Sequence, residues 1–220
     1  MFKVLKKILQ YPRLTQDYPK TPIDSSQFIG KPVIDGSACT KCGECITRCP
    51  SGAISNHPET GLPGIDYDAC VFCTLCEEVC PSGAAAMTTE FELAELGELV
   101  EQKIKKLLGR SLQIREVDSG SCNGCDYEIN ALNNPFNDIE RFGIHFVASP
   151  RHADMLLVTG CAARNMEQAL IKTYEATPEP KLVVAVGACA CSGGIFQDTY
   201  AVKGGIDAIV PVHAYIPGCP

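Results

Sequence analysis

Apolar and polar positions change rhythm along this chain, and the change divides it. From residue 111 onward, short apolar, β-rich runs recur as "LQIREV", "GIHFVAS", "MLLVTG", "KLVVAVG" and "AIVPVHAYI", and helical stretches such as "RNMEQALIKTYEA" lie between some of them. Strands alternating with helices predict a parallel α/β sheet over residues 111–220. Functional groups in such sheets gather in loops at the carboxyl ends of the strands. Just before this region, residues 90–110 place Leu93, Leu96, Val100, Ile104, Leu107 and Leu108 at helical spacing. They predict one connecting helix. Glutamates crowd its first part and Lys103, Lys105, Lys106 and Arg110 its end, which suits the helix dipole. Gly97 weakens the pattern slightly. Residues 31–89 carry eight cysteines and many turn residues. Residues 1–30 form an arm broken by Pro12, Pro19 and Pro22. It opens on "MFKVLKKILQ", where Phe2, Leu5, Ile8 and Leu9 share one helical face and Lys3, Lys6 and Lys7 the other. That is the pattern of a short interfacial amphipathic helix, and it suits a membrane surface and a protein partner equally.

Composition narrows the class. With 220 residues, 45% apolar and 20% charged, the chain is globular rather than disordered. A net charge of −7 and the lack of a Lys/Arg stripe exclude a nucleic-acid partner. Fourteen cysteines demand a chemical reason. A disulfide scaffold would need a secretory signal, but "MFKVLKKILQ" interleaves its charges with its apolar residues, and no apolar stretch of about 7–15 residues follows. A reducing compartment is expected, where such cysteines bind metal. The longest apolar run, "LVVAVGACAC", falls short of the ~20 residues that span a bilayer.

Eight of the cysteines form an internal repeat. "ACTKCGECITRCPSGAI" starts at Ala38 and "ACVFCTLCEEVCPSGAA" at Ala69, each reading C-x-x-C-x-x-C-x-x-x-C-P, offset by 31 residues throughout. This is the bacterial ferredoxin run, in which the fourth cysteine ligates the other cluster. A 4Fe–4S cube needs four thiolates arranged tetrahedrally, three of which a single tight loop can supply. One cube is expected on Cys39, Cys42, Cys45 and Cys80, the other on Cys70, Cys73, Cys76 and Cys49. Zinc sites use two short knuckles rather than three evenly spaced cysteines followed by Cys-Pro, so zinc is the weaker alternative.

Six cysteines remain: Cys122, Cys125, Cys161, Cys189, Cys191 and Cys219. A third cube needs four of them. "CNGC" follows the strand "LQIREV", "GACACSGG" follows "KLVVAVG", and "PGCP" follows "VHAYI". All fall in loops after strands, and Gly187, Gly193, Gly194 and Gly218 let the backbone approach a bulky cluster. Cys161 also follows a strand, and spacing alone excludes neither it nor Cys191.

The order "CNGC" (122–125), "GACACSGG" (187–194), "GCP" (218–220), with "SPRHADMLLVTG" (149–160) and "IERFGI" (139–144), resembles the proximal-cluster subunit of NiFe hydrogenases and the related subunit of complex I. It is most similar to the small subunit of membrane-bound, energy-converting hydrogenases of the formate hydrogenlyase type. The first half, from "MFKVLKKI" through both runs, resembles the two-cluster ferredoxin subunit of the same complexes. The resemblance implies a fusion of two subunits over nearly the whole chain.

It also implies Cys122, Cys125, Cys189 and Cys219 as the proximal ligands, three 4Fe–4S clusters in all, with Cys161 and Cys191 left as buried thiols. The expected fold is an α+β ferredoxin-like domain (31–89), a linker helix (90–110) and an α/β flavodoxin-like parallel-sheet domain (111–220), after the arm 1–30. The implied function is electron transfer to or from a hydrogenase-type large subunit. No catalytic residue of the chain's own is expected. Further partners are membrane subunits and an external electron donor or acceptor, at the cytoplasmic face of the membrane. In complex I subunits the first two ligands are adjacent cysteines; here Asn123 and Gly124 separate them, the hydrogenase spacing. A complex I-like assembly without a NiFe site is the alternative.

Glu128 matches a family glutamate implied in proton handling or polar contact at the partner's site, although a solvated helix face would also explain it. Arg151 and His152 would tune the third cluster by hydrogen bonding if their loop reaches it, and otherwise form loop salt bridges. His145 and His213, within strands, are expected in the core. Since Pro220 directly follows Cys219, a partner is expected to shield the third cluster.

Overall fold

The internal repeat folds as a repeat. The chain was analysed as a computed structural model that describes residues 2–10, 15–96 and 111–219. After helix α1 (Phe2–Gln10), strand β1 (Pro32–Ile34), helix α2 (Glu44–Arg48) and strand β2 (Ile54–Asn56) are repeated 31 residues later as β3 (Pro63–Ile65), α3 (Leu75–Glu78) and β4 (Ala85–Met87). The repeats are interlocked. β1 pairs with β4 and β2 with β3, both antiparallel, so each two-stranded sheet draws one strand from each repeat. Backbone conformation repeats as well. Lys41 and Phe72 have φ of 59° and 54°, Gly43 and Thr74 of 77° and 65°, Gly52 and Gly83 of 66° and 64°. Three of these six are not glycine, and a left-handed conformation in such residues is uncommon and marks a constrained site.

The second half is a six-stranded sheet in the order β5–β10–β9–β8–β6–β7. Its strands are β5 (Glu95–Leu96), β6 (Leu112–Asp118), β7 (Ile144–Phe146), β8 (Met155–Thr159), β9 (Leu182–Val186) and β10 (Ala214–Ile216). Five run parallel, as the strand–helix alternation predicts, and β5 joins the edge antiparallel to β10. Helices α4 (Gly124–Ala131), α5 (Glu167–Ala176) and α6 (Ala188–Ser192) connect them. Side chains alternate between the faces. Leu156, Val158, Val183 and Ala185 pack on one side with Leu170 of α5 and Ala190 of α6. Leu112, Ile114, Leu157 and Val184 pack on the other with Ile129 of α4. Burial on both faces is what makes parallel strands read as continuous apolar runs.

Three expectations need correction. Residues 90–96 do not begin a helix: Glu95 and Leu96 pair with Tyr215 and Ala214 as an edge strand. Backbone pairing to an exposed sheet edge has overridden helical periodicity, a weak determinant on its own. The rest of the expected helix, 97–110, lies outside the described residues. The run "AIVPVHAYI" supplies a strand only over its last part, Ala214–Ile216. His145 is not in the core: its imidazole faces Glu140 at 3.9 Å on the surface.

The arm ties the halves together. Gln16 donates its N–H to the carbonyl of Phe136 at 2.9 Å, and the Arg141 guanidinium donates to the carbonyls of Gln16 and Tyr18. Tyr18 in turn hydrogen-bonds Glu92, and Phe28 meets Phe91 edge-on, centroids 5.2 Å apart. A direct bond also crosses: Ser192 Oγ donates to the carbonyl of Asp68 at 3.1 Å. In α1, Leu5 and Leu9 are 49% and 82% exposed.

A buried lysine closes α5. Lys181, 8% exposed, donates to the carbonyls of Tyr174 and Thr177 at 2.8 and 3.0 Å and lies 4.0 Å over the Tyr174 ring. It satisfies carbonyls that the helix end leaves open and complements the dipole there. Lys181→Met keeps the bulk and removes the donors. Losing hydrogen bonds from a charged group is expected to cost about 2 kcal/mol, read as a lower Tm in anaerobic thermal scans at unchanged iron content. An unchanged Tm would refute this role.

Candidate metal centres

The interlocked repeats bring the thiols into two sets. Cys39, Cys42, Cys45 and Cys80 line one cavity, between Ile34, Pro63 and Ala85. Cys49, Cys70, Cys73 and Cys76 line another, between Pro32, Ile54 and Met87. Each cavity holds three cysteines of one run and the fourth of the other. The geometry shows why: β4 follows Cys80 and pairs with β1, which precedes Cys39, and β2 follows Cys49 and pairs with β3, which precedes Cys70. Backbone amides point at the sulfurs. Lys41 N–H donates to Cys39 Sγ and Phe72 N–H to Cys70 Sγ, each at 3.4 Å. Hydrogen bonding from Ala85 N–H and the Ser82 hydroxyl pulls the Cys80 thiol down to about 7, while burial pushes Cys70 up to about 11.

A third set gathers at the carboxyl ends of β6, β9 and β10. Gly187 N–H donates to the carbonyl of Ile216 at 2.8 Å and Ala188 N–H to that of Gly218 at 2.7 Å, which joins the loops carrying Cys189 and Cys219. Cys125 comes so close to Gly187 that a Cβ there would stand 2.5 Å from its Sγ. Burial pushes Cys125 and Cys189 up to about 11 and raises Cys219, and the neighbouring thiols raise each of the three further. Cys125 and Cys189 are therefore protonated at neutral pH without metal, so metal binding must displace protons.

Cys161 also neighbours Cys189, but it is buried and its Sγ donates to the carbonyl of Gly120 at 3.4 Å. Cys191, pushed up to about 12 by burial, turns toward the carbonyls of Ala185 and Ile216.

Four thiolates per set are the donor type and number that an iron–sulfur cube takes. A zinc ion would draw four sulfurs to ~2.3 Å from one point. Among the described residues no three His, Cys, Asp or Glu side chains close in that way.

The three sets adjoin one another. Cys45 of the first raises Cys76 of the second, and Cys73 of the second raises Cys219 of the third. Phe72 lines both the second cavity and the broad apolar groove beside Cys125 and Cys219. Spacing gave no hint of Phe72; only its position between two ligands marks it. Glu128 is exposed on α4 and lines the same groove. Arg151 and His152 are exposed and precede β8, at the opposite end of the sheet from the third set. Five strand residues, about 16 Å, separate them from it, so they do not touch those thiols.

An acidic cluster beneath the third set escaped the sequence reading. Burial and Asp126 together push the Glu116 carboxyl up to about 7. Burial also raises Asp126, but hydrogen bonds from Glu116, Ser121 and Thr159 outweigh it and hold Asp126 below the usual carboxylate range.

Cysteine runs, shared thiol-lined cavities and interlocked strands define an iron–sulfur protein. A family described as "4Fe-4S dicluster domain" matches residues 31–81, and one described as "NADH ubiquinone oxidoreductase, 20 Kd subunit" matches residues 122–220. The chain belongs to the latter family, with a dicluster segment fused in front of it. It is 48% identical over 134 residues to formate hydrogenlyase subunit 7 of Escherichia coli, covering 61% of this chain and 51% of that protein. It is 45% identical over 134 residues to the probable membrane-bound hydrogenase subunit mbhJ of Pyrococcus furiosus, covering 61% and 80%. It is 53% identical over 96 residues to an NADH-quinone oxidoreductase subunit of Geobacter metallireducens, covering 44% and 56%. The chain thus spans about half the length of the first and third of these relatives and four fifths of the second.

Proposed function

We propose that this chain is an electron-transfer subunit of a membrane-bound hydrogenase complex, holding three 4Fe–4S clusters between a NiFe-type large subunit and an external donor or acceptor. The proposed ligands are Cys39, Cys42, Cys45 and Cys80; Cys70, Cys73, Cys76 and Cys49; and Cys122, Cys125, Cys189 and Cys219. The observation that carries the reading is the adjacency of the three thiol sets in a single file, first to second through Cys45 and Cys76, second to third through Cys73 and Cys219. When bound, the clusters supply one-electron carriers whose potentials respond to hydrogen bonds, charge and burial around the sulfurs. The chain's own residues hold them close. The interlocked strands fix the first two sets, the Ser192–Asp68 bond joins the two halves, and Phe72 fills the space between the second and third.

On this reading residues 31–89 are a ferredoxin-like domain and 111–220 a flavodoxin-like one. The set of Cys39, Cys42, Cys45 and Cys80 faces the external partner, and the groove bearing Glu128 faces the large subunit. The hydrogenase names among the relatives and the Cys-x-x-Cys spacing of Cys122 and Cys125 support the hydrogenase assignment. A peripheral seat at the cytoplasmic face fits a chain in which, among the described residues, no helix is long and apolar enough to cross a membrane. The identity to the NADH-quinone oxidoreductase subunit of Geobacter metallireducens favours a second reading, a complex I-like assembly without NiFe. Nickel in the purified complex decides between them.

Metal and sulfide analysis of anaerobically purified protein tests the cluster count. Three cubes predict about twelve iron and twelve sulfide per chain. About eight iron would remove the third cluster, and stoichiometric zinc would overturn the reading.

A further inference from the structure

We infer that Asp126 is the positioning residue of the third thiol set: its carboxylate ties the Cys122–Cys125 turn to the end of β8 and keeps a negative charge beside Cys125. The inference rests on the proposal that Cys122, Cys125, Cys189 and Cys219 hold a cluster.

Three segments converge on this side chain. Thr159, wholly buried at the end of β8, donates its hydroxyl to Asp126 Oδ1 at 2.9 Å. Ser121, from the turn itself, donates its hydroxyl to Oδ2. Glu116, on β6, lies beside the same carboxylate. Ser121 Oγ passes the constraint on by accepting the N–H of Asn123 at 2.9 Å. Asn123 sits in the left-handed region at φ 68° and makes no side-chain cap for α4, so its conformation depends on these outside bonds. Asp118 completes the turn by accepting the N–H groups of Gly120 and Ser121 at 2.8 and 2.6 Å.

The backbone on both sides of Cys122 is therefore held by side chains, and the member that reaches from the turn to the sheet is Asp126. Its neighbour in sequence is Cys125. Hydrogen-bonded groups just outside the ligands orient them, and a nearby charge shifts the potential of an iron–sulfur centre. The second set has a partial counterpart in Glu77, which follows Cys76 and accepts the N–H of Met87 on β4 at 3.2 Å, whereas Ile46 follows Cys45 in the first.

The test is an EPR-monitored redox titration of the anaerobically purified complex. Asp126→Asn removes the charge at nearly the same shape. The third cluster's midpoint potential is expected to rise while those of the other two stay in place. Thr159→Val removes one hold on the carboxylate and keeps its charge. Its third-cluster signal is expected to change in g-values or linewidth, again alone. If Asp126→Asn loses the third cluster's iron, Thr159→Val decides: a changed signal supports the inference and an unchanged one overturns it. Parent-like midpoint and signal in both variants overturn it as well. A parent protein with about eight iron per chain instead removes the third cluster itself, so the two failures are told apart.

Discussion

Cys49→Ala is expected to remove the cluster of the second run, not that of the run in which Cys49 stands. Iron should fall from about twelve to about eight per chain. The crossing shows in pairs of substitutions. Cys49→Ala combined with Cys73→Ala should lose no more iron than either alone, because both line one cavity. Cys49→Ala combined with Cys42→Ala should lose about eight iron, because they belong to different sets. The physical reason is the strand exchange: β2 emerges from Cys49 and pairs with β3, which delivers the chain to Cys70. Additive loss for Cys49 with Cys73, and none beyond the single loss for Cys49 with Cys42, would show that each run serves its own cluster and would refute the crossing.

Gly187→Ala is expected to abolish the third cluster and spare the other two. Gly187 has φ 87° and ψ 154°, a region open essentially to glycine alone. Holding another residue there costs on the order of 1–3 kcal/mol. The added Cβ would also stand 2.5 Å from Cys125 Sγ, inside any permitted contact. The site cannot give way easily, since the N–H of Gly187 is bound to Ile216 and its carbonyl receives the N–H groups of Ala190 and Cys191. The expected readout is about eight iron per chain with both ferredoxin-type EPR signals retained. Gly43→Ala is the control. Gly43 is also left-handed, at φ 77°, but nothing lies within 4 Å of a Cβ there, so that variant should keep about twelve iron. Full iron in Gly187→Ala would mean that Cys125 does not need this close approach.

The cysteine runs were legible because their chemistry is local. Three ligands of each of the first two sets lie within a few residues, and a 31-residue offset repeats their backbone down to the left-handed Lys41 and Phe72. The parallel sheet was legible for a similar reason: burial on both faces leaves unbroken apolar runs such as Leu182–Val186. Residues 90–96 misled because helical periodicity reports a face to be buried, not the partner that buries it. A free edge at Ala214 and Tyr215 took Glu95 and Leu96 as a strand instead. The sequence left Arg151 and His152 between two roles because closeness in sequence to β8 does not say at which end of the sheet a loop lies.

The sequence by itself determined the donor type and the strand–helix alternation, and it predicted the crossed grouping of the first two sets and the six remaining cysteines from which a third set would come. Spacing carries such information wherever ligands are neighbours in the chain. Tertiary structure alone decided which distant groups meet. It turned Cys161 and Cys191 toward backbone carbonyls, placed Cys73 beside Cys219 with Phe72 between the second and third sets, and bound Asp126 to Thr159 and Glu116 across two strands. Such contacts depend on strand order and on loops converging at one end of the sheet, and no local pattern encodes that convergence.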